Sequence, residues 1–587
     1  MTADLSGIDV LFPAHVLRDY ALLGDGERGA VIGPRGDVIW MCAPQWHDPA
    51  VFSSLIDGPG AFAVTPINPR YVWEGHYDDG TLIWNSRWVT TEGIVECREA
   101  LAMPGDPSTA VLLRTIRVIS GTAPVRILFQ AKPGFGRDNL DLSRNDDGTW
   151  SGVGGGLSAR LSGLGRAHVM DDMLRQDIDL LPGDEHHLVF ELSSKALPAR
   201  LPDSALLWAD TADAWAASAP RMNGSVAPED ARLAHAVLRG LTSSTGAMVA
   251  AATMGLPERE AGKQNYDYRY AWIRDQCFAG LAADASGATD LLDSSVRFVG
   301  GRLLADGPEL QPAYTVTGGQ VPDEERLDFA GYPGGTDTVG NWVNGQFQLD
   351  IFGEALLLFS AAADRDRLDK ADWPDVEVAV RAIEAKWTLP DAGMWELKDD
   401  LWTHSRLMCV AGLKAIARHT PAIQSGRWES LADRILADAS ATSVHPSGRW
   451  QRSASDHRVD AALLLPAIRG ALPVRDPRSL ATAAAVRKEL LQDGYVYRFR
   501  HGPGQLAEAE GAFLLCGFNL ALTEHQEGNI VDAFRLFERN RAACGSPGLF
   551  TEEFDVGQRQ LRGNFPQAFV HAAMLETAHR LAGPPTG

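Results

Sequence analysis

Up to about Ser194, short runs rich in β-branched and aromatic residues, with polar neighbours interleaved, are broken by Gly, Pro and Asp. Leu82–Trp84, Leu113–Val118, Val125–Phe129 and Leu188–Leu192 are the clearest of them. Such interleaving puts one face of a strand on a core and the other in water, the habit of antiparallel sheets. The glycine-rich stretch 151–165 interrupts the pattern as a turn or a kinked strand. These runs predict an N-terminal antiparallel β-sandwich. From Ser204 the period becomes helical. Ser204 caps a segment that ends near Pro220, and 220–228 has the Pro, Asn, Gly and Ser content of a linker. Beyond it, helices are expected at 229–243, 276–286, 344–363, 376–387, 405–419, 428–438, 458–469, 478–491, 511–524, 530–543 and 567–582. Helices of similar length, parted by long loops carrying Trp, Gly and acidic residues, predict a helical toroid rather than a four-helix bundle. No repeat of fixed period stands out. The expected organisation is a sandwich domain over 1–200, a linker helix and linker over 201–228, and a catalytic helical domain over 229–587.

Composition narrows the partners. A chain of 587 residues is long enough for more than one folded unit, at roughly 100–200 residues each. Its 45% hydrophobic and 22% charged residues place it among ordinary globular proteins and not among disordered ones. A net charge of −22 disfavours nucleic acid and anionic membrane surfaces, which need a positive footprint. No apolar run approaches the roughly 18–20 residues of a membrane helix. The opening MTADLSGIDVLF lacks a basic region followed by a long apolar core, so no secretory signal is expected and the expected compartment is the cytoplasm. Six scattered cysteines without a CxxC pair read as buried free thiols. No phosphate loop and no HExxH-like ligand spacing occurs, so no cofactor and no metal is expected. The oligomeric state stays open.

Four stretches concentrate chemistry: 265–278 around YDYRYAWIRD, 331–350 around GNWVNGQFQLD, 393–409 around MWELKDD, and 549–569 around TEEFDVGQRQLRGNFPQAF. Each mixes Trp or Tyr with carboxylates and amides. A sugar needs that mixture, because flat rings cover its C–H faces while acids, Arg and Asn hold its hydroxyls. A single such aromatic is more often core packing; four stretches together weaken that explanation.

These stretches resemble family 15 glycoside hydrolases, the inverting glucoamylase group, and particularly its bacterial members with an N-terminal β-sandwich. Tyr266-Asp-Tyr268-Arg-Tyr270-Ala-Trp272-Ile-Arg274-Asp275 matches Y-x-Y-x-W-x-R-D, and Gly393-Met-Trp395-Glu396 matches G-x-W-E. Thr551-Glu552-Glu553-Phe554-Asp555 followed by Gly563-Asn564-Phe565-Pro566-Gln567-Ala568-Phe569 matches a third pattern, and Glu510-Gly-Ala-Phe-Leu-Leu-Cys516 a fourth. Arg18-Asp-Tyr20 through Asp25, and Val38-Ile-Trp40 through Pro44, resemble the bacterial branch. The likeness runs in order from about residue 15 to the end.

The resemblance implies an α+β multidomain fold, an N-terminal antiparallel β-sandwich followed by an (α/α)6 barrel with the active site in its loop-lined mouth. It implies Glu396 as general acid and Glu552 as general base, with Glu553 the alternative base. It also implies Arg274 and Asp275 as the grip on the terminal hydroxyls of the first sugar, with Tyr268, Trp272, Trp395 and Glu553 as further substrate-binding groups. Inverting hydrolysis needs one protonated acid for the leaving oxygen and one carboxylate to activate water on the opposite face. Glu396 follows Trp395, where desolvation is expected to keep it protonated; Glu552, among acidic and amide residues, is expected in a more polar setting suited to a base. Trp40 and Trp46 are candidates for closing the pocket from the sandwich side. His404 and His571 accompany the motifs.

Three departures bear on substrate: Thr338 where relatives carry Arg, Leu397 where starch-acting relatives carry a second acid, and Arg406 for Lys. They are expected in or near the leaving-sugar region. The resulting expectation is an inverting, exo-acting α-glucoside hydrolase releasing glucose from the non-reducing end of a short oligosaccharide, an isomaltose-type α-1,6 bond first. α,α-Trehalase and glucoamylase-type α-1,4 hydrolysis follow. A disaccharide phosphorylase or a non-catalytic glycan-binding protein on the same fold are the other classes, disfavoured because both carboxylates are present.

Overall fold

The computed structural model describes residues 12–220, 222–258, 265–501, 506 and 510–585. Two eight-stranded antiparallel sheets form the N-terminal sandwich. One runs in the order 21–24, 29–32, 37–42, 61–66, 125–130, 173–178 and 168–170, with 50–52 paired to 37–42. The other runs 143–144, 150–154, 157–162, 185–193, 109–121, 93–101, 84–90 and 71–77. The glycine-rich stretch is a hairpin: 150–154 and 157–162 pair with Gly154 opposite Leu157, and Gly155 and Gly156 between them take φ of 57° and 75°. Two consecutive left-handed residues give the turn whose twist matches the strands, and glycine adopts them without steric cost.

The sheets meet on an aromatic core. Phe129 of one sheet packs edge-on against Phe62 of the same sheet and Phe190 of the other, at 5.2 and 4.9 Å between centroids. One charge crosses that core. Arg114 is fully buried, pairs with Glu99, and donates to the carbonyls of Phe62 and Gly36, both at 2.6 Å. A buried charge is tolerable only when paired and hydrogen-bonded in this way.

The helical part is an (α/α)6 barrel. Its inner ring is formed by Ile273–Ser286, Asp350–Asp364, Thr403–Ala417, the short 461–468 segment, Leu514–Glu527 and Ala568–Arg580, each packing on the next and the last on the first. Pro228–Leu241, Thr289–Asp306, Trp373–Lys386, Ala422–Thr442, Pro477–Glu489 and Ile530–Arg541 lie outside them. The inner helices are buried on every face, as 350–362 shows without interruption, whereas outer helices such as 422–442 bury only a stripe. Two inner helices come together through glycine: a Cβ on Gly353 would stand 2.4 Å from the Met408 carbonyl oxygen, and one on Gly412 2.3 Å from that of Gly353. The helix at 289–306 was not among the expected ones; Gly300, Gly301 and three Asp break its apolar stripe. The expected 344–363 helix begins only at Asp350, preceded by a 3-10 turn at 342–345.

Among the described residues no helix is long and apolar enough to cross a membrane. The six cysteines are free, five of them buried.

Candidate active site

The loops that precede the inner helices converge at one end of the barrel and enclose a cleft of about 830 Å³, open mouth included. Five inner helices begin directly below it, at Ile273, Asp350, Thr403, Leu514 and Ala568. Their N-terminal partial charges favour carboxylates at this end. Glu396 and Glu552 both line the cleft, as do Tyr268, Trp272, Arg274, Asp275 and Trp395.

The segment 266–272 is extended, and its residues divide between two faces. Tyr266, Tyr268 and Trp272 face the cleft. Asp267 and Arg269 face away and are fully buried, joined through 2.9 and 2.6 Å bonds. Arg269 also donates to the Asp48 carbonyl at 2.9 Å and to the Cys42 sulfur at 3.2 Å, and lies against the rings of Trp40 and Phe135. Asp267 accepts from the Gly340 amide at 3.0 Å. The aromatic wall of the cleft is thereby fastened to the sandwich behind it.

At the floor, Arg274 lies 3.3 Å from Asp275, donates to Gln348 at 3.2 Å and reaches Glu396 at 3.6 Å. Burial pushes the Asp275 carboxyl up to about 6, against the pull of Arg274. The helix of 350–364 puts Asp350 and Glu354 beneath this floor, raised by burial to about 6 and about 8.

Glu396 stands on a tight turn. Its amide bonds to the Gly393 carbonyl at 3.1 Å, that of Leu397 to Ala392 at 2.9 Å, and Glu396 itself takes φ of 53°, a left-handed conformation uncommon outside glycine. The turn aims the carboxylate at the Trp272 Nε1, which donates at 2.8 Å, with Gln346 Nε2 at 3.5 Å. Trp395, also in the lining, donates its indole N–H to Asp460 at 2.9 Å. Glu552 is held by the loop that enters the 553–555 strand, which pairs with 512–513 and 560–562. Its Oε2 lies 3.3 Å from the Tyr268 hydroxyl, and the Tyr268 and Trp272 rings meet edge-on at 5.5 Å. One aromatic pair thus carries a hydrogen-bonding group for each carboxylate.

The surroundings of the two acids are the reverse of those expected. Glu552 is 7% exposed and is driven well above the ordinary carboxylate range by burial and by the nearby Glu258. Glu396 keeps 23% of its side chain exposed and faces a guanidinium and two N–H donors. Trp395 gives its indole N–H to Asp460, and the groups that meet Glu396 come from distant parts of the chain.

Other placements differ as well. Glu553 is fully buried, accepts from the Gly511 amide at 2.8 Å and lies 3.6 Å from Arg498; it backs Arg498 and does not line the cleft. Successive residues of a strand point to opposite faces, so Glu552 and Glu553 cannot both face the cleft. Trp40 and Trp46 are fully buried and donate to the carbonyls of Ala252 and Gly26; they do not close the pocket. Of the three departures only Leu397 lines the cleft. Thr338 pairs with Arg326 in a two-stranded sheet, and Arg406 is buried against Asp438 and Ser443. His404 and His571 are buried outside the cleft.

Several lining residues lie outside the four stretches singled out in the sequence, among them Glu258, Arg498, Phe499 and His501. Arg498 was visible in principle, set between Tyr497 and Phe499 in the same aromatic and charged mixture that marked the other loops. It donates to Glu510 at 3.0 Å and lies over the Phe513 and Trp395 rings. Glu258 follows Leu256-Pro257 with no aromatic beside it, so the sequence carries little signal for it.

The family described as glycosyl hydrolases family 15 matches residues 232–579, and the one described as trehalase-like, N-terminal matches 13–161. A trehalase of Mycolicibacterium smegmatis is 31% identical over 96% of this chain and 91% of its own length. An isomaltose glucohydrolase of Kribbella flavida is 30% identical over 50% of this chain and 75% of its own. Among solved structures, a bacterial glucoamylase complexed with acarbose superposes with a TM-score of 0.72 over 98% of this chain and 97% of that one, at 13% identity, a likeness of fold.

Proposed function

The chain belongs to glycosyl hydrolases family 15, and on that premise we propose that this glycosidase hydrolyses α,α-trehalose with inversion at one anomeric carbon, Glu396 acting as general acid and Glu552 as general base. In this reading residues 229–587 form the catalytic unit. The observation that carries the chemistry is the pairing of both acids with one aromatic wall: Trp272 holds Glu396, Tyr268 holds Glu552, and the Arg274–Asp275 floor closes the cleft below them. Glu396 gives its proton to the glycosidic oxygen as the C–O bond breaks. Water adds to the anomeric carbon from the opposite face, and Glu552 takes its proton.

Support for the disaccharide comes from two directions. Arg498 and His501, beside the Glu396 loop, offer charged and hydrogen-bonding groups to a hydroxyl-rich leaving sugar. The full-length relative bears the name trehalase, whereas the isomaltose enzyme aligns with half of this chain. An α-1,6 glucoside, the first expectation from the sequence, becomes the second substrate.

The test is product analysis by proton NMR before mutarotation. Inverting cleavage of trehalose yields one β-glucose from the attacked unit and one α-glucose as leaving group. A panel of trehalose, isomaltose, maltose and nigerose in which trehalose stays intact overturns the substrate assignment. Dependence on added phosphate overturns hydrolysis. Glu396→Gln and Glu552→Gln are each expected to lower kcat by at least ~10²–10⁴. Burial of Glu552 favours one second reading, with the two roles exchanged. α-Glucosyl fluoride separates them, because fluoride leaves without a proton: the variant of the acid regains turnover on it and the variant of the base does not.

A further inference from the structure

Glu258 is a buried carboxylate that the two-acid mechanism does not use. It is 4% exposed, lines the cleft and lies 3.3 Å from the same Tyr268 hydroxyl that lies 3.3 Å from Glu552. Gly563 shows independently how close the two acids stand. At φ 88° its amide donates to the Pro257 carbonyl at 2.8 Å, and a Cβ placed on it would meet Glu258 Cγ at 3.6 Å and Glu552 Cβ at 3.7 Å. The backbone before Glu258 is stitched to the strand beside Glu552, with no side chain between.

A phenol has one proton to donate. It can serve one carboxylate as donor, and bonds to the second only if that one is itself a carboxylic acid. Two carboxylates this close and this buried do not ionise together. We propose that Glu258 and Glu552 hold one proton between them through the Tyr268 hydroxyl, and that this path returns the base to its ionised form after each turnover. With the shared proton on Glu258, Glu552 is the carboxylate ready for water. When it has taken the water's proton, it passes a proton to the Tyr268 oxygen as that hydroxyl passes its own to Glu258, which by then has lost its proton to solvent at the mouth. Tyr268 is unchanged at the end, and Glu396 regains from solvent the proton it gave to the leaving oxygen.

The neighbours set the direction of each effect. Arg498 and Arg274 are the cations acting on Glu552, and Asp275 is a further carboxylate. Glu553 lies behind it, Glu396 acts on Tyr268 from across the cleft, and Tyr266 stacks on Tyr268 at 6.2 Å. Arg498 and Tyr266 also act on Glu258, and the Tyr268 hydroxyl is within hydrogen-bonding distance of both acids. Glu258 acts through Tyr268 and is therefore a positioning and proton-holding residue.

This inference rests on Glu552 as base, and the experiment separates the two. In Glu258→Gln the amide keeps the shape and cannot take the proton. Glu552 then titrates alone and no longer as half of a pair that shares one proton, with Asp275 and Glu553 still nearby, and the acid limb of kcat/KM shifts by about one unit or more from its wild-type position, with kcat on the plateau reduced. Tyr268→Phe in the same background should leave little of that difference. An acid limb that stays in place in Glu258→Gln overturns the proposal. Turnover persisting in Glu552→Gln overturns instead the assignment of the base. If Glu258→Gln does not fold, ¹³C NMR titration of the wild-type enzyme labelled at glutamate δ-carbons decides: a coupled pair titrates in two separated steps, and a single step for each acid rejects it.

Discussion

Trp272 and Glu396, 124 positions apart in the chain, are joined by a 2.8 Å hydrogen bond from the indole Nε1 to the carboxylate. The indole is fixed on its other side by the Tyr268 ring, so the acid is aimed by a rigid partner. A hydrogen bond to a charged group contributes about 1.5–3 kcal/mol. Trp272→Phe keeps the ring and removes the donor, and is expected to lower kcat about 10- to 100-fold with little change in KM. Steady-state kinetics on trehalose check this.

The pH profile follows from Glu552. Burial and Glu258 raise its carboxyl, and a protonated base cannot accept the water's proton. Activity is therefore lost on acidification at a pH above the ordinary carboxylate range. Arg498 pulls in the opposite sense to burial, so Arg498→Gln should move the acid limb of kcat/KM to higher pH.

Glu354 makes a prediction about stability. It is fully buried, faces Arg469, Asp350, Arg274 and Glu576, and is raised from 4.5 to about 8 chiefly by burial. The folded protein binds this proton more tightly than the unfolded chain, so the contribution weakens as pH rises from 4.5 to about 8. Glu354→Gln removes that slope. Its melting temperature relative to wild type should rise steadily across the window and level off on either side, as measured by calorimetry at several pH values.

Arg269→Met tests the coupling of sandwich to barrel. The substitution strands Asp267 as a buried charge and removes the bonds to Asp48 and Cys42. Breaking a buried pair costs about 3–5 kcal/mol. Thermal unfolding should show the loss, and kcat should fall because Tyr268 and Trp272 flank the lost anchor. Arg269→Lys, with a charge but no planar fork, should recover only part.

Much of the architecture is legible along the chain because it is local. Hydrophobic period separates the strands before Ser194 from the helices after Ser204, and two consecutive glycines mark the 150–162 hairpin. The helix at 289–306 escaped because its apolar residues are interrupted by acids and glycine, and packing on the inner ring overrides that local weakness. The motifs marked the loops that gather at the cleft, but not Glu258, which has no distinctive neighbour in sequence.

Residue order and chemistry alone therefore determined the two layers of fold, the family likeness and the loops bearing carboxylates and aromatics. Which carboxylate is buried, and which residue stands beside it, was decided only in three dimensions. Glu396 is adjacent to Trp395 in the chain but meets Trp272, Arg274 and Gln346 in the fold; Glu552 and Glu553 are neighbours in sequence on opposite faces of a strand entry. Desolvation and Coulomb interaction depend on distance through space, and a strand or a left-handed turn can send adjacent side chains to different surroundings.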